Sequence, residues 1–359
     1  MKCVGLHDDT VSILIGGEAG QGITRSGAML GKALASYGLH VFGVIDYPSL
    51  IRGGHNFYVV RVCEREIFSN TAHVDLIVAL NKETVLIHQQ ELVPGGGIIV
   101  DSDIAFDADE LRGDVKIFSI PSTQIVKELG GPQIMRNTVA LGAAMGLIGL
   151  KSIELERVVV ESFSGREKIA VMNRDAVVRG YSYASDNFEG FGCSIEMDGE
   201  KPEMLWVTGN EAVSLGALQA DCKFYAAYPM TPASPVLHYL INRDEETGMV
   251  VVQPESELAA ICMVIGASYG GVRAMTATSG GGFSLMVEAL GLAGMTEIPV
   301  VIMLGQRPGP STGMATYTAQ GDLLFSINAG QGEFPRVVVA PGNVDQCFYQ
   351  TVNALSLIH

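Results

Sequence analysis

Short apolar runs alternate with stretches of helical periodicity in the first half of the chain. Residues 11–16 have the pattern of a buried strand that ends in a glycine turn, and residues 23–37 carry apolar side chains at helical spacing up to Gly38. Similar patterns predict strands at 41–45, 56–63, 76–80 and 98–101 and helices at 124–129, 137–150 and 154–162. Strands that alternate with helices are typical of an α/β domain with a mostly parallel sheet and helices on both faces.

The alternation begins again after residue 203. It predicts strands at 204–208, 224–227, 250–252, 273–277 and 300–304 and helices at 212–220, 234–241, 257–269 and 283–291. Residues 185–203 are rich in glycine and acidic residues and show little periodicity, which is typical of a linker. We therefore expect two α/β domains, at 1–184 and 204–359, joined by a linker at 185–203. Because the sequence ends at His359, in or just after an apolar helical stretch at 344–357, we expect the second domain to be truncated.

Net charge, cysteine spacing and the lengths of the apolar stretches exclude several kinds of partner and site. The chain has 359 residues and a net charge of −16, which argues against nucleic acid or an anionic membrane as a partner. No two of its six cysteines lie within four residues of each other, so the spacing of zinc or iron–sulfur ligands is missing and we predict no metal site. There is no pattern of a signal peptide, and the longest apolar stretch, 138–150, is too short to span a bilayer. We predict a cytoplasmic protein.

Three segments of the second half place polar groups at the ends of predicted strands. They are Tyr228–Ser234, Gln253–Ala260 and Gln306–Gly313. Thr231 precedes a proline, so its backbone is biased to an extended conformation. Its hydroxyl then stands at the carboxyl end of a strand, where open α/β sheets bind ligands; the alternative is a stiff turn without a ligand.

The other two segments contribute a carboxylate and a guanidinium. Glu257 begins an apolar helix, where it either favours the helix dipole beside the capping Ser256 or faces a flat heterocycle from a dry pocket. Arg307 follows an apolar strand and needs a carboxylate, which either a ligand or the protein supplies. The long polar loop at 311–322 is suited to close over such a site.

In order and spacing these segments, together with Ala274–Gly282, resemble the alpha part of the 2-oxoacid:ferredoxin oxidoreductases. These are thiamine-diphosphate enzymes that include pyruvate and 2-oxoglutarate synthases. The resemblance implies that Glu257 hydrogen-bonds the aminopyrimidine ring of the coenzyme and favours its reactive tautomer. It implies that Thr231 and Arg307 bind the carboxylate and keto region of the substrate. It also implies that the backbone from Thr278 through Ser279 and Gly280 to Gly282 lines the pyrimidine pocket, and that Tyr228 and Pro229 are further coenzyme-binding residues.

The first domain has a glycine-rich turn, Gly16–Gly22, between a strand and a helix. The spacing does not fit a dinucleotide fingerprint, because the third glycine would fall at position 25, which is Arg25. A helix start with exposed amides still suits an anion such as a CoA phosphate. This turn and the segments 46–48, 51–55, 79–82 and 137–142 resemble the gamma domain of the same family. The resemblance places the domain near CoA, with Gly17, Gly20, Gly22, Arg52 and His55 as candidates; for the last two the alternative is a structural turn with a surface ion pair.

The order gamma then alpha matches the fused subunit of 2-oxoglutarate-type members. The chain lacks the family's acidic-glycine motif with paired asparagines and lacks cluster-binding cysteines. The resemblance therefore implies a beta subunit that carries the diphosphate, Mg²⁺ and an iron–sulfur cluster, arranged as a dimer of heterodimers. The expected reaction converts a 2-oxo acid (2-oxoglutarate is favoured) and CoA to acyl-CoA and CO₂, with electrons to ferredoxin. Two alternatives stay open: a non-catalytic binding or assembly protein of the same fold, and a NAD-dependent dehydrogenase.

Overall fold

The computed structural model describes residues 2–48, 54–107, 109–197, 199 and 204–357. The chain forms two compact units, Met1–Trp206 and Val207–His359. Both are layered arrangements of helices and a sheet with parallel strand pairs, so the predicted α/β fold is confirmed for each half.

The first unit contains eight strands and six α-helices among its described residues. The strands are β1 (Lys2–Val4), β2 (Val11–Glu18), β3 (His40–Asp46), β4 (His55–Cys63), β5 (Val74–Ala79), β6 (Leu92–Asp101), β7 (Lys116–Ile120) and β8 (Ser194–Glu196). The helices are α1 (Ile23–Ser36), α2 (Lys82–His88), α3 (Ser122–Glu128), α4 (Arg136–Leu147), α5 (Ile153–Ser162) and α6 (Glu167–Asn187).

The main sheet of the first unit has the strand order β3-β4-β2-β5-β6-β7. The pairs β2–β5, β5–β6 and β6–β7 are parallel, whereas β4 runs antiparallel to both β2 and β3. The sheet is therefore mixed, and the expectation of a mostly parallel sheet holds for its β2-β5-β6-β7 part. The connection from β3 to β4 is too short to hold a crossover helix, which explains why these two strands are antiparallel.

Helix α6, which the sequence patterns did not predict, packs on α4 through glycines. A Cβ built at Gly142 would lie 2.1 Å from the carbonyl oxygen of Val177, and one built at Gly180 would lie 2.0 Å from that of Val139. The two backbones approach so closely that no larger residue fits at either position. The core below them includes the fully buried Ile13 of β2.

Part of the segment that was predicted as a linker, 185–203, belongs to the first unit. Helix α6 continues to Asn187, and β8 pairs antiparallel with β1. Phe191, Cys193 and Ile195 are buried in the core of the first unit. These three alternate in the sequence with exposed or half-buried residues, a strand-like pattern too short to stand out from its polar surroundings.

The predicted strand at 204–208 is not formed. Met204 donates its N–H to the carbonyl of Ala35, and the ring of Trp206 fills the space beside Gly31 and Gly43. The apolar character of this segment therefore serves packing on α1 and β3 and not a sheet. The same segment leads into Thr208, which caps the next helix.

The second unit has a four-stranded sheet in which all strand pairs are parallel, in the order β10-β9-β11-β12. Its strands are β9 (Phe224–Ala226), β10 (Val250–Val252), β11 (Ala274–Thr278) and β12 (Val301–Leu304). Its helices are α7 (Gly209–Gln219), α8 (Ser234–Ile241), α9 (Asp244–Thr247), α10 (Glu257–Tyr269), α11 (Gly280–Thr296), α12 (Leu323–Asn328) and α13 (Val344–Leu357). Because the strands are parallel, the segments that follow them emerge at one edge, where the predicted site residues lie.

The described helices include none that is both long and apolar enough to cross a lipid bilayer. Among the described residues, no three His, Cys, Asp or Glu side chains are grouped so that they would hold a metal ion. The cysteines are free thiols, and burial raises the pKa of Cys3 to about 12 and that of Cys222 to about 11. Both thiols are therefore uncharged and poorly nucleophilic at neutral pH.

Candidate functional site

A cavity of about 550 Å³ opens at the edge of the second unit's sheet, beside β11 and β12. Two charged side chains line it among the described residues, Arg307 and Asp322. The remaining lining residues are small, hydroxyl-bearing or apolar: Met230, Ser279, Gly280, Gly281, Gly282, Ser284, Leu285, Gly309, Pro310, Ser311, Thr312 and Phe325.

Arg307 is held in the cavity wall by the turn after β9. The side chain is only 8% exposed, and its Nη1 donates a 2.7 Å hydrogen bond to the backbone carbonyl of Thr231. Its buried Nε has no hydrogen-bond partner in the described part of the chain. The structure thus brings Thr231 and Arg307 together, through the threonine's carbonyl, and leaves one guanidinium donor free for an anion.

Glu257, at the first position of α10, is 3% exposed, and its Oε1 has no hydrogen-bond partner among the described residues. Ser256 caps the helix, because its Oγ accepts the N–H of Ala259 at 3.3 Å. The carboxylate turns toward α11, where a Cβ built at Gly282 would lie 2.4 Å from Oε1 and 2.1 Å from Oγ1 of Thr278. Capping is therefore done by the neighbour, and glycine at 282 makes room for the carboxylate.

The start of α11 carries a serine in cap position that does not cap. Ser279 has the extended backbone of an N-cap, but its side chain makes no cap hydrogen bond. The residue is completely buried, and its Oγ has no partner among the described residues. At the next position, a Cβ built at Gly280 would lie 3.0 Å from Oδ2 of Asp322. Two carboxylates, from Glu257 and Asp322, thus approach the amino end of α11, where the helix dipole favours negative charge.

The predicted site residues divide into three groups. Ser279, Gly280 and Arg307 line the cavity. Glu257 and Thr278 adjoin it through their contact with the lining residue Gly282. The remaining residues, Tyr228, Pro229 and Thr231, lie in the turn after β9, of which Met230 lines the cavity; the side chain of Tyr228 is exposed.

Two site residues were missed by the sequence interpretation. Asn210 donates from Nδ2 to the carbonyl of Pro232 at 3.0 Å and so braces the turn that holds Thr231. Asp322 was seen only as the end of a polar loop. The signal for Asp322 was its position directly before an apolar helix, where an aspartate normally caps; that its side chain does not cap is visible only in the structure.

The loop from Pro308 to Asp322 is closed on itself and forms one wall of the cavity. The N–H of Asp322 donates to Oε1 of Gln306 at 2.9 Å, and the N–H of Met314 donates to the carbonyl of Pro308 at 3.1 Å. Gly313 has φ 54°, and a Cβ there would lie 1.8 Å from the carbonyl oxygen of Pro308. Only glycine therefore fits at the point where the loop closes.

The glycine-rich turn of the first unit lies beside a smaller cavity of about 230 Å³. Gly20 and Gln21 line this cavity together with Asp101, Arg136 and Asn137.

The turn uses several of its own polar groups internally. The N–H of Glu18 donates to Oε1 of Gln21 at 2.9 Å, and that of Ala19 donates to the carbonyl of Gly54 at 3.1 Å. Gly17 has a packing reason to be glycine, since a Cβ there would lie 2.5 Å from Oε1 of Gln21. Gly22, with φ 79°, stands at the N-cap of α1. The candidate Arg52 lies outside the described residues.

His55 is part of a partly buried chain of hydrogen bonds. Its Nε2 lies 2.7 Å from Nε2 of His88, and Nδ1 of His88 lies 2.7 Å from Oε1 of Glu91. His88 is 2% exposed, and burial together with the neighbouring His88 lowers the pKa of His55. The structure therefore places His55 in a partly buried network that ends in the ion pair of His88 with the half-exposed Glu91, so a structural role for His55 stays open.

Comparison with known proteins gives the same order of two domains. Residues 12–183 match the family described as pyruvate ferredoxin/flavodoxin oxidoreductase. Residues 215–358 match the family described as pyruvate flavodoxin/ferredoxin oxidoreductase, thiamine diP-bdg.

Relatives and a solved structure support this assignment. The 2-oxoacid:ferredoxin oxidoreductase subunit alpha of a Sulfolobus species is 33% identical over 97% of this chain and 62% of its own length. The 2-oxoglutarate synthase subunit KorA of Archaeoglobus fulgidus is 47% identical over 43% of this chain and 45% of its own length. The structure of 2-oxoglutarate:ferredoxin oxidoreductase from Magnetococcus marinus, with 2-oxoglutarate, coenzyme A and succinyl-CoA bound, superposes with a TM-score of 0.87 at 34% identity, over 97% of this chain and 61% of that one. The chain thus spans about three fifths of the length of the Sulfolobus relative and of the Magnetococcus chain. The resemblance inferred from the sequence is confirmed, and the chain belongs to the 2-oxoacid:ferredoxin oxidoreductase family.

Proposed function

We propose that the chain is the catalytic alpha part of a thiamine-diphosphate-dependent 2-oxoacid:ferredoxin oxidoreductase. The complex would convert a 2-oxo acid and CoA to acyl-CoA and CO₂ and pass electrons to ferredoxin. The observation that carries this proposal is the pairing of two unsatisfied buried groups at one sheet edge. They are the Oε1 of Glu257 and the Nε of Arg307, at or beside the same cavity.

The residues around Glu257 fit the aminopyrimidine ring of the coenzyme. A buried carboxylate oxygen without a hydrogen bond is costly, so it calls for a donor from a ligand. Bound thiamine diphosphate supplies the carbon nucleophile and the electron sink that decarboxylation needs. In this assignment Glu257 accepts a hydrogen bond from the ring and supports its reactive tautomer. In the same assignment Thr278–Gly282 line the pocket around the ring, and Tyr228 and Pro229 are further candidates for coenzyme binding.

The substrate assignment rests on Arg307. One guanidinium donor is held by the carbonyl of Thr231, and Nε has no partner among the described residues, which supports a role in binding the carboxylate of a 2-oxo acid. Thr231 then lies close to the carboxylate and keto region. The names of the Archaeoglobus and Magnetococcus relatives favour 2-oxoglutarate as the acid.

We place CoA at the first unit. The cavity beside Gly20 and Gln21 has Arg136 in its lining, and α1 begins next to it, so an anionic group of CoA is suited to this edge. Gly17, Gly22 and Arg52 remain candidates from the family resemblance, and the Magnetococcus relative has coenzyme A bound.

Exposed apolar side chains support a partner subunit. Helices α10 and α11 of the second unit leave several large apolar residues exposed: Leu258, Met263, Tyr269, Leu285, Leu292 and Met295. Concentrations of exposed apolar residues mark interaction surfaces. We assign this surface to a beta subunit that supplies the diphosphate site, Mg²⁺ and an iron–sulfur cluster, in a dimer of heterodimers located in the cytoplasm.

The nicotinamide alternative has no support from the first unit's turn. Position 25, where the dinucleotide fingerprint requires its third glycine, holds Arg25. Its guanidinium stacks on the ring of Phe163 at 3.9 Å from the centroid. The position is thus occupied by a packing contact within the unit.

The proposed function is tested by reconstitution. The chain is assayed, alone and together with a beta subunit of the family, for dye reduction that requires a 2-oxo acid, CoA and thiamine diphosphate. We expect activity only with both subunits. Robust activity of the chain alone, or an inactive complex with bound coenzyme, would overturn the proposal.

A further inference from the structure

The cavity wall contains three buried polar atoms that lack partners among the described residues. They are Oγ of Ser279, Nε of Arg307 and Oδ2 of Asp322. Ser279 and Arg307 are each more than nine-tenths buried, so these groups are not satisfied by bulk water. Unsatisfied buried polar groups are rare in folded proteins, and here three share one cavity.

Two of these residues stand directly before a helix but do not cap it. Ser279 stands at the N-cap of α11 and Asp322 at the N-cap of α12, and neither side chain makes the cap hydrogen bond. Serine and aspartate are among the strongest N-cap residues, and loss of a cap typically costs about 1 kcal/mol. Ser279 has the extended backbone of a cap and forgoes this bond, whereas the backbone of Asp322 (φ −94°, ψ 7°) is not in the cap conformation. Both side chains are therefore left with an oxygen that has no partner on its own helix.

The three atoms differ in what they need. Nε of Arg307 is a donor and is suited to an anion. Oγ of Ser279 either donates or accepts. The ionised carboxylate of Asp322 only accepts, so it requires a donor from the ligand. A 2-oxo acid has a carboxylate and a keto oxygen but no donor, and it therefore leaves Asp322 unsatisfied.

We propose that Asp322 makes this cavity selective for 2-hydroxy acids over the corresponding 2-oxo and unsubstituted acids. The ligand's carboxylate binds Arg307 and its 2-hydroxyl donates to Asp322, with Ser279 as a further partner. This deepens the proposed function. When a carbon nucleophile adds to a 2-oxo acid, its electron pair forms a bond to the keto carbon, the π pair moves to oxygen, and that oxygen takes up a proton from the medium as a hydroxyl. A cavity that matches the hydroxyl form favours the reacting state over the bound substrate.

The test is a binding series on the 359-residue chain, measured by isothermal titration calorimetry. The ligands are 2-hydroxybutyrate, 2-oxobutyrate and butyrate, which have the same carbon chain and charge. We expect the hydroxy acid to bind about tenfold tighter than butyrate, because a hydrogen bond to a charged group is worth this much or more. Equal affinities for the three acids would overturn the proposal without any variant.

Variants then assign the effect to one residue. In Asp322→Asn the preference for 2-hydroxybutyrate over butyrate should fall to about twofold or less. The matched control is Asp345→Asn, which removes the same charge from the exposed start of α13 and should keep the preference. If Asp322→Asn keeps the full preference, the proposal is wrong. A third outcome is that Asp322→Asn unfolds at a lower temperature while the wild type shows no preference for 2-hydroxybutyrate. In that case Asp322 only stabilises the start of α11, and the proposal is wrong.

Failure here is distinguishable from failure of the proposed function. A reconstituted complex that oxidises 2-oxo acids, but whose chain shows no 2-hydroxy-acid preference, overturns the assignment of Asp322 alone. A chain that shows the preference and loses it in Asp322→Asn, within a complex without oxidase activity, overturns the oxidoreductase proposal alone.

Discussion

Each unit has a glycine-rich turn between a strand and a helix, and the two turns differ in what fills the space beside the glycines. In the first unit, a Cβ at Gly17 would meet the amide oxygen of Gln21, which already accepts a backbone N–H. In the second unit, a Cβ at Gly282 would meet Oε1 of Glu257, and one at Gly280 would meet Oδ2 of Asp322. Neither carboxylate oxygen has a partner among the described residues.

The difference teaches how to interpret such glycines. A glycine shows only that something approaches the backbone closely. Where the approaching group is neutral and satisfied, as Gln21 is, the glycine serves the turn itself. Where it is a buried carboxylate with an oxygen that lacks a partner among the described residues, as Oε1 of Glu257 does, the turn leaves a polar group for a ligand to satisfy. The second turn is therefore the better candidate for catalysis.

The strongest test of this contrast is Glu257→Gln in the reconstituted complex. An amide neither carries the charge nor supports the coenzyme's tautomer, so we expect kcat to fall by about 10²–10⁴. The melting temperature should change little, because Ser256 still caps α10.

The matched control is Glu255→Gln, two residues earlier and exposed. It should keep nearly full activity. An equal loss in both variants, or wild-type kcat in Glu257→Gln, would remove the basis for a catalytic carboxylate at 257 and would favour a non-catalytic subunit of the same fold.

Replacing Gly282 in the second turn with alanine should disturb the carboxylate of Glu257, because the added methyl group would take up its space. Gly282→Ala would place Cβ 2.4 Å from Oε1 of Glu257 and 2.1 Å from Oγ1 of Thr278. We expect a loss of about 1–3 kcal/mol in the free energy of unfolding, as for other overpacked sites, measured by urea denaturation.

Gly281→Ala is the paired control for this change. Its Cβ would meet nothing closer than the carbonyl oxygen of Ser311 at 3.7 Å. Alanine also favours a helix over glycine by up to about 1 kcal/mol, so this variant should be neutral or slightly stabilised. The same destabilisation in both would show that the close approach of Glu257 to Gly282 is not what requires glycine there.

A change at Arg307 should have a smaller effect, and this effect should be on substrate binding. Arg307→Lys keeps the charge but removes Nε and the rigid fork, so we expect KM for the 2-oxo acid to rise roughly tenfold, about 1.4 kcal/mol. Arg243→Lys is the control. Arg243 stacks on Tyr239, 3.7 Å from the ring centroid, and lies in the connection between α8 and α9. A KM that is unchanged in Arg307→Lys would contradict the role of Arg307 as the carboxylate anchor.

The sequence predicted the strands and helices that position the second site because each is a local pattern. The helices 234–241 and 257–269 and the strand 250–252 lie where the periodicity placed them. Helix α6 was not predicted, since its contact with α4 depends on Gly142 and Gly180, small residues that give no apolar stripe.

The site itself was predictable only in part. The types and order of Glu257, Thr231 and Arg307 are sequence properties, and the family resemblance named their roles. That Arg307 uses the carbonyl of Thr231, and that Asp322 turns away from its own helix into the cavity, depend on contacts between residues distant in sequence. No local pattern encodes such contacts.

The smallest predicted effect lies in the first unit and concerns pH. His55 lies beside the first turn, since a Cβ at Gly16 would be 3.3 Å from its Cε1. Burial and His88 lower its pKa, against the opposing carboxylates Glu83, Asp46 and Glu91. Because the unfolded chain takes up this proton at a higher pH than the folded one, His55 lowers stability as pH falls through about 6.5. Above that pH the effect is absent.

Urea unfolding of the wild type and of His55→Asn between pH 8 and pH 5 measures this contribution. The slope of unfolding free energy against pH, between about pH 6.5 and 5, should be shallower in the variant, because one group that protonates on unfolding has been removed.

Activity of the same variant at pH 7.5 then tests the comparison of the two turns. If the first turn is structural, His55→Asn should change kcat far less than Glu257→Gln does. A loss of kcat as large as that of Glu257→Gln, with unchanged stability, would show that the first turn also carries chemistry and that internal satisfaction of a turn's amides does not exclude a catalytic role.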